Sequence, residues 1–356
     1  MHRGNTFAPM PKPQRIFITG ANGFAGTYTC YLLLQKGYDV VALKRATSDL
    51  STSKTIFNYL NQKHNQSIDF EKISWKIGDV LDPNSLIDAS IGCDAIVHTA
   101  ASVSFQKNER DFILKNNIEG TANAVDACIE NGIERFIQLS SVAALPNPDK
   151  KYELDETFLN STFYQFETTY GESKYRSEME VWRGLGEGLK VTALNPGIIV
   201  GPWKFTGSSV EMFKTVYNGL PFYSGGYTGF VSVQDVANAV LLSLENEKSI
   251  GERFVLVSKN MSYRDFLFEI ADALGKKRPS MSAGKNASQV VAVFAETWAA
   301  LTGKKAFITR EMAQSANRKT HFVNDKSKNV LGLEYKNFSK SIKETAEFLK
   351  GNLELM

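Results

Sequence analysis

The first 200 residues alternate between two kinds of apolar pattern. Short apolar runs rich in β-formers at 15–19, 38–43, 73–77, 94–98, 135–140 and 190–195 predict strands. Segments with helical spacing at 24–36, 83–90, 110–131 and 168–185 predict helices between them. Strands alternating with helices build βαβ units, so an α/β fold is expected, a doubly wound parallel sheet with helices on both faces. Val191, Ala193 and Leu194 are expected to end the last of these strands, and Asn195-Pro196-Gly197 to turn. Beyond residue 200 the rhythm breaks. Gly201-Pro202 and the glycine- and aromatic-rich run at 222–230 read as loops. Val231 to Asp235 opens a helix at 233–245, with Asp235 in a first turn that favours a carboxylate. A strand at 252–257 and helices near 262–273, 285–302 and 337–350 complete the expectation. The division expected is a disordered leader at 1–14, carrying Pro9, Pro11 and Pro13, a sheet domain at 14–200, and a smaller C-terminal subdomain. That subdomain takes most of 201–356, with 229–257 returning to the sheet domain.

Composition narrows the class. With 356 residues and 43% hydrophobic content, the chain can bury one large core or two smaller ones. A net charge of +3 with 22% charged residues gives no strong basic field, so no nucleic-acid partner is expected. Cys30, Cys93 and Cys128 are odd in number and lack metal-site spacing, which fits reduced thiols. His2, His64, His98 and His321 form no ligand cluster, so no metal is expected. The leader has no long apolar core of the signal-peptide kind, and the apolar stretch at 290–295 meets Glu296 too soon to span a bilayer. A soluble cytoplasmic protein with no membrane partner is the expectation.

Thr19-Gly20-Ala21-Asn22-Gly23-Phe24-Ala25-Gly26 follows the first strand directly and opens the first helix. Gly20 and Gly23 suit a tight turn that lets a pyrophosphate approach the backbone, and Gly26 suits close helix–strand packing. Free N–H groups at the helix start would face the phosphates. Gly20, Asn22, Gly23, Phe24, Ala25 and Gly26 are therefore candidate dinucleotide contacts; an ordinary βα turn is the plainer alternative. The second strand ends in Val40-Val41-Ala42-Leu43-Lys44-Arg45, with no acid at 41–48 to hold a ribose 2′-hydroxyl. Arg45 suits a 2′-phosphate, which favours NADP(H) over NAD(H), unless Lys44 and Arg45 are merely solvated at a loop edge. Asp79, beside Val80, either accepts from the adenine amino group or caps a helix, a task for which Asp82 before Pro83 is better placed. Small residues Thr99, Ala100 and Ala101 end the fourth strand and let a cofactor lie on the backbone, while His98 reads as a packed structural histidine.

The fifth strand ends in Ser140-Ser141, and Tyr170 and Lys174 stand at i and i+4 on the following helix. A carbonyl that accepts hydride needs a proton. A tyrosine beside an ammonium is a suitable donor because the cation favours the phenolate. Ser141 is the candidate to hold the substrate oxygen, with Ser140 as its rival. An exposed Tyr–Lys helical pair is the bland reading. A second such pair, Tyr59 and Lys63, has no serine-bearing strand before it and reads as chance. Asn116, Asn117, Gly120, Thr121 and Asn123 interrupt the helix at 110–131 with poor helix formers, pointing either to local polar duties or to a surface face.

The series Thr19-Gly20-x-x-Gly23-x-x-Gly26, Asp79, His98-x-Ala100-Ala101, Asn117-x-x-Gly120-Thr121-x-Asn123, Ser140-Ser141, Tyr170-x-x-x-Lys174, Asn195-Pro196-Gly197 and Phe230-Val231-x-Val233-x-Asp235-Val236-Ala237 resembles the extended short-chain dehydrogenase/reductases. These are also called the NAD-dependent epimerase/dehydratase family, and the resemblance covers about residues 14 to 350. It implies a Rossmann-type domain with a C-terminal substrate-binding lid. It implies Ser141, Tyr170 and Lys174 as catalytic residues, with Tyr170 and Lys174 also touching the cofactor. It implies that Pro196 to Ile199 lie beside the nicotinamide, and a homodimer formed through the two long helices. Sugar-nucleotide members usually carry an arginine just before the Phe-Val-x-Val segment, and Gly226-Tyr227-Thr228-Gly229 has none. The run Asn195 to Pro202, with Arg45, looks more like the dihydroflavonol-reductase and hydroxysteroid-dehydrogenase-like branch. That branch implies a small-molecule carbonyl or alcohol substrate, for which Phe105, Phe163, Tyr164, Phe166, Trp203, Phe205, Phe222, Tyr223 and Tyr227 supply aromatic surface. The alternatives are an activated-sugar epimerase or dehydratase that retains NAD, and a non-catalytic NADP binder, which would not require all of Ser141, Tyr170 and Lys174.

Overall fold

The computed structural model describes residues 14–104, 106–147, 152–157, 166, 168–204, 209–284, 289, 293 and 309–352. The expected leader, apart from residue 14, and the expected helix at 285–302, apart from residues 289 and 293, lie outside the described residues. The strands are β1 (Arg15–Thr19), β2 (Asp39–Lys44), β3 (Ser74–Ile77), β4 (Ala95–His98), β5 (Arg135–Leu139), β6 (Glu153–Leu154), β7 (Lys190–Pro196), β8 (Ile198–Val200), β9 (Phe222–Ser224), β10 (Tyr227–Ser232), β11 (Glu252–Leu256), β12 (Lys259–Ser262), β13 (Met281–Ala283) and β14 (His321–Phe322). The helices described are α1 (Phe24–Gln35), α2 (Ser51–His64), α3 (Pro83–Ser90), α4 (Arg110–Glu130), α5 (Thr169–Gly186), α6 (Glu211–Tyr217), α7 (Val233–Glu245), α8 (Tyr263–Leu274), α9 (Arg310–Ser315), α10 (Asp325–Asn329) and α11 (Phe338–Gly351).

Seven parallel strands form the central sheet in the order β11-β7-β5-β4-β1-β2-β3. β1 shows why it sits in the middle. Ile16, Phe17 and Ile18 are all fully buried, as a parallel strand covered on both faces requires. Ile16 and Ile18 join a core with Ala25, Leu33, Val236 and Val240 of α1 and α7. Phe17 points the other way, into a core with Ala124, Val125 and Val181 of α4 and α5. Strand order runs outward from β1 in one direction to β3, then returns through β4 in the other. The reversal at β1/β4 opens a crevice at the carboxyl ends of the strands, where α/β sheets bind ligands.

The predicted alternation at 15–196 is present to within a residue or two at each boundary. Helix α2 is an addition. Its polar sequence hides Thr52, Ser53, Ile56, Phe57 and Leu60, buried at helical spacing. The expected turn at Asn195-Pro196-Gly197 is corrected: β7 continues through Pro196 and the chain resumes as β8 at Ile198. The loop expected at 222–230 is corrected too, since β9 and β10 fall there. The glycines in that run permit contact rather than turning. A Cβ on Gly226 would stand 2.2 Å from the Ala316 carbonyl oxygen, and one on Gly197 would stand 2.4 Å from the Gly229 carbonyl oxygen. β10 pairs parallel with β8 and antiparallel with β12 in a second, three-stranded sheet. No helix among the described residues is long and apolar enough to cross a membrane. Among the described residues no group of three or more His, Cys, Asp or Glu side chains is placed to hold a metal ion.

Candidate active site

The carboxyl edge of the sheet gathers the candidate residues. Gly20 takes φ +69, a left-handed conformation that glycine adopts without strain, and a Cβ there would strike the Ala100 backbone nitrogen at 2.6 Å. Gly23 donates its N–H to the Gly20 carbonyl oxygen at 2.9 Å and starts α1. A Cβ on Gly26 would stand 2.2 Å from the same oxygen. The first turn of α1 has neither a side-chain cap nor an acidic residue. Its leading N–H groups therefore present positive potential with no carboxylate of that turn to answer it, which fits a dinucleotide pyrophosphate. Asn22 and Phe24 are half-buried in this turn and Ala25 is buried. The Phe24 ring stacks on Trp203, centroids 5.4 Å apart, so Trp203 is packed in the core and not in the aromatic substrate surface expected for it. Tyr28 ties the same segment down by donating its hydroxyl to the Pro202 carbonyl oxygen at 2.9 Å.

At the end of β2, Lys44 is half-buried and Arg45 exposed, and neither carries an ion pair among the described residues. The Arg45 N–H donates to the Ser48 hydroxyl at 3.1 Å. Asp82 caps α3 by accepting from the Asn84 N–H at 3.2 Å, and Pro83 takes the first helical position. Asp79 is thereby not the cap; it accepts from the Leu81 N–H at 3.0 Å and holds the bend that presents Val80. Thr99 donates its hydroxyl to the Thr19 carbonyl oxygen at 2.7 Å, pinning the β4 exit against the glycine turn, with Ala100 half-buried and Ala101 exposed beyond it. His98 bridges Thr19 and Thr121 through its two ring nitrogens, at 2.8 and 3.3 Å. Burial, helped by the Lys174 charge, holds its pKa down at about 3, so the imidazole is neutral and structural.

Ser140 and Ser141 face opposite ways. Ser140 is buried and donates its hydroxyl to Glu178, whereas the Ser141 hydroxyl accepts from the Ala143 N–H at 3.1 Å and acts on Tyr170. Thr168 caps α5 by accepting from the Gly171 N–H at 3.0 Å, which fixes Tyr170 in the first turn. Burial raises the Tyr170 pKa and the Ser141 hydrogen bond lowers it. Lys174 shares the helix face of Tyr170 and has a partner of its own. Its side chain is buried, and Nζ donates to the Leu139 carbonyl oxygen at 2.8 Å. Burial brings Lys174 down to about 8, against the upward pull of the Glu178 carboxylate. Pro196 is buried at the end of β7 and Ile199 half-buried in β8, both where the chain passes from the central sheet to the second one.

The polar interruptions of α4 have local duties. Asn117 accepts from the Ser102 N–H at 2.7 Å and donates to the Ser173 hydroxyl at 2.9 Å, linking the β4 exit to α5 beside Lys174. Gly120 lies against Val80, and Asn123 donates to the Val80 carbonyl oxygen at 2.9 Å. Sequence reasoning passed over Ser102, Ser173, Glu178 and Arg253. Only Glu178 carried a signal, four residues beyond Lys174 on the same helix face. Tyr59 and Lys63 lie on α2, where Lys63 pairs with Glu344 and Tyr59 meets Phe348 edge-on. Phe105, Phe163, Tyr164 and Phe205 lie outside the described residues.

Comparison with known proteins agrees with this geometry. The family model described as "NAD dependent epimerase/dehydratase family" matches residues 16–256. A putative dihydroflavonol 4-reductase of Synechocystis sp. is 28% identical over 268 residues, 74% of this chain and 73% of that protein. Cinnamoyl-CoA reductase 1 of Petunia hybrida is 27% identical over 266 residues, 72% of this chain and 76% of that one. Among solved structures, that of gox2253 superposes with a TM-score of 0.77 at 27% identity, covering 95% of this chain and 98% of its own. The glycine turn, the doubly wound sheet and these matches together make the chain a member of the NAD dependent epimerase/dehydratase family, an NAD(P)-dependent oxidoreductase of the extended short-chain dehydrogenase/reductase type.

Proposed function

We propose that the chain interconverts a small-molecule ketone or aldehyde and its alcohol with NADP(H), using Ser141, Tyr170 and Lys174. The observation that carries this reading is the setting of Tyr170 in the first turn of α5, where the Ser141 hydroxyl pulls its pKa down, with Lys174 buried on the same helix face. The bound nicotinamide supplies the hydride in reduction and takes it in oxidation. The chain's own residues manage the oxygen. Ser141 donates a hydrogen bond to it, and Tyr170 gives it a proton as negative charge develops, then recovers one from solvent. In the oxidative direction Tyr170 takes the hydroxyl proton. The Lys174 ammonium favours the phenolate left after proton loss. Gly20, Asn22, Gly23, Phe24, Ala25 and Gly26 would hold the pyrophosphate. Asp79 and Val80 would flank the adenine, Thr99, Ala100 and Ala101 the ribose, and Pro196 and Ile199 the nicotinamide.

NADP(H) is preferred to NAD(H) in this reading because Lys44 and Arg45 close β2 with no ion pair among the described residues, leaving Arg45 exposed for a 2′-phosphate. Its relatives' names, dihydroflavonol 4-reductase and cinnamoyl-CoA reductase, support the carbonyl class without naming this chain's substrate. The chain also acts, in this reading, as a homodimer through α4 and α5. Titration with NADPH and NADH by nicotinamide fluorescence, repeated with Arg45→Ala, tests the cofactor. NADPH is expected to bind about 10- to 100-fold more weakly to the variant, with NADH unchanged, as loss of hydrogen bonds to a charged group implies. Wild-type preference for NADH, or NAD that co-purifies, would turn the assignment towards an epimerase or dehydratase.

A further inference from the structure

Helix α5 carries one buried charged group that the proposed chemistry leaves unused. Glu178 stands four residues after Lys174 and eight after Tyr170, on the same helix face, and it is fully buried. Three strands send side chains to it. Ser140, just past β5, donates its hydroxyl to Oε1. Asn195 of β7 donates Nδ2 to the same oxygen at 2.6 Å and also to the Ser141 carbonyl oxygen at 2.9 Å. Arg253 of β11, only 3% exposed, brings Nη2 to 2.5 Å from Oε2 and lies over the Trp182 ring, one turn further along α5. Apolar side chains would fill this volume without the cost of desolvating two charges. What the charged set adds is direction, because each hydrogen bond ends at a residue next to the candidate centre.

We propose that Glu178 is a positioning residue for the Ser141–Tyr170–Lys174 centre: its carboxylate, balanced by Arg253, fastens α5 to the ends of β5 and β7 so that Ser141 stands against Tyr170, and it places negative charge one helical turn behind the Lys174 ammonium. Its purpose rests on the oxidoreductase reading above; its geometry does not. The electrostatics agree, since Glu178 is the group that opposes the effect of burial on Lys174. Among the described residues, Lys174 also has Tyr170 on its own helix and the neutral His98 at the end of β4 near it. The Arg253 charge from β11 is taken up by Glu178.

The test reads Lys174 directly, by NMR of full-length protein carrying 13C-labelled lysine, with the Lys174 signal assigned from Lys174→Arg. In Glu178→Gln the Lys174 titration is expected to move to lower pH by about half a unit or more, because the amide oxygen keeps the bonds from Ser140 and Asn195 while the negative charge, and with it the Arg253 ion pair, is lost. At the same time kcat falls about tenfold or more, with the NADPH Kd held within about threefold. An unmoved titration, or a moved one with wild-type kcat, overturns the proposal. Should the single variant fail to fold, Glu178→Gln combined with Arg253→Met removes both charges together; the same shift is expected there, and wild-type titration and kcat would be equally fatal. Tyr170→Phe, assayed alongside, keeps the two claims apart. Full turnover in that variant sinks the role of Tyr170, while the Lys174 titration still decides for or against Glu178.

Discussion

Tyr170 and Lys174 share a face of α5, yet the folded chain gives them separate partners, Ser141 for the phenol and the Leu139 carbonyl oxygen for the ammonium. Removing the phenolic proton alone is therefore a clean experiment. Tyr170→Phe is expected to lower kcat by a factor of about 10² to 10⁴, the usual contribution of a positioned acid or base, with NADPH affinity within about twofold. Retained turnover in a stopped-flow assay would exclude Tyr170 as the proton donor. Lys174 makes a prediction about stability. Its pKa is about 8 in the folded chain against an ordinary 10.5, so between those values the unfolded chain binds more protons. The lysine's contribution to stability must then rise as pH increases through that window and level off above it. Urea midpoints of wild type minus Lys174→Met are expected to increase from pH 7.5 to 9.5, and a flat difference would contradict the depressed value. At this scale the sequence was legible where spacing alone decides. Asp82 was the better cap from its place before Pro83, and the structure has it there. The partner of Lys174 was not legible, because helical periodicity says which residues share a face and not how far a four-carbon stem reaches across a sheet.

Elements depend on contacts that periodicity does not encode. The turn between β1 and α1 was readable because each glycine has a local reason, and a Cβ on Gly26 would collide with a rigid carbonyl oxygen at 2.2 Å. Gly26→Ala is accordingly expected to destabilise the chain by about 1–3 kcal/mol, as overpacking usually does, and to weaken NADPH binding together with NADH. Thermal melting with and without each nucleotide checks both halves; unchanged affinity would separate this turn from cofactor binding. β10 escaped notice for the same chemical reason in reverse. Gly226 and Gly229 look like turn formers in sequence, but both allow close approach, Gly226 to the Ala316 carbonyl and Gly229 to the Val257 side chain. α2 was missed because its exposed face is rich in Asn, Gln and Lys, and its buried face includes Thr52 and Ser53, which hydrophobicity undervalues.

Across the whole molecule, α4 and α5 form the most closely joined pair of helices on one side of the sheet. Gly184 lets α5 press against Val125 of α4, and Arg183 crosses to Asp126 at 2.7 Å. The pair nevertheless leaves large apolar side chains in water: Phe112 is 53% exposed and Ile129 41% exposed on α4, with Leu185 38% exposed on α5. Phe112 stands at one end of α4 and Ile129 at the other, so a partner that covers both must lie along the length of the helix. A two-fold dimer would set α4 and α5 of one copy against the same helices of the other, covering these residues on both copies in one symmetric contact. Burying a side chain of this size contributes about 1.5–3 kcal/mol, so Phe112→Glu and Leu185→Glu should each weaken association by at least about tenfold. Sedimentation equilibrium is the measurement. Wild type should run as a dimer at micromolar concentration, and the double variant as a monomer that keeps its NADPH affinity, because both side chains are exposed on helix surfaces. A wild type that is monomeric at every concentration would leave these residues as ordinary surface and withdraw the dimer from the proposed function.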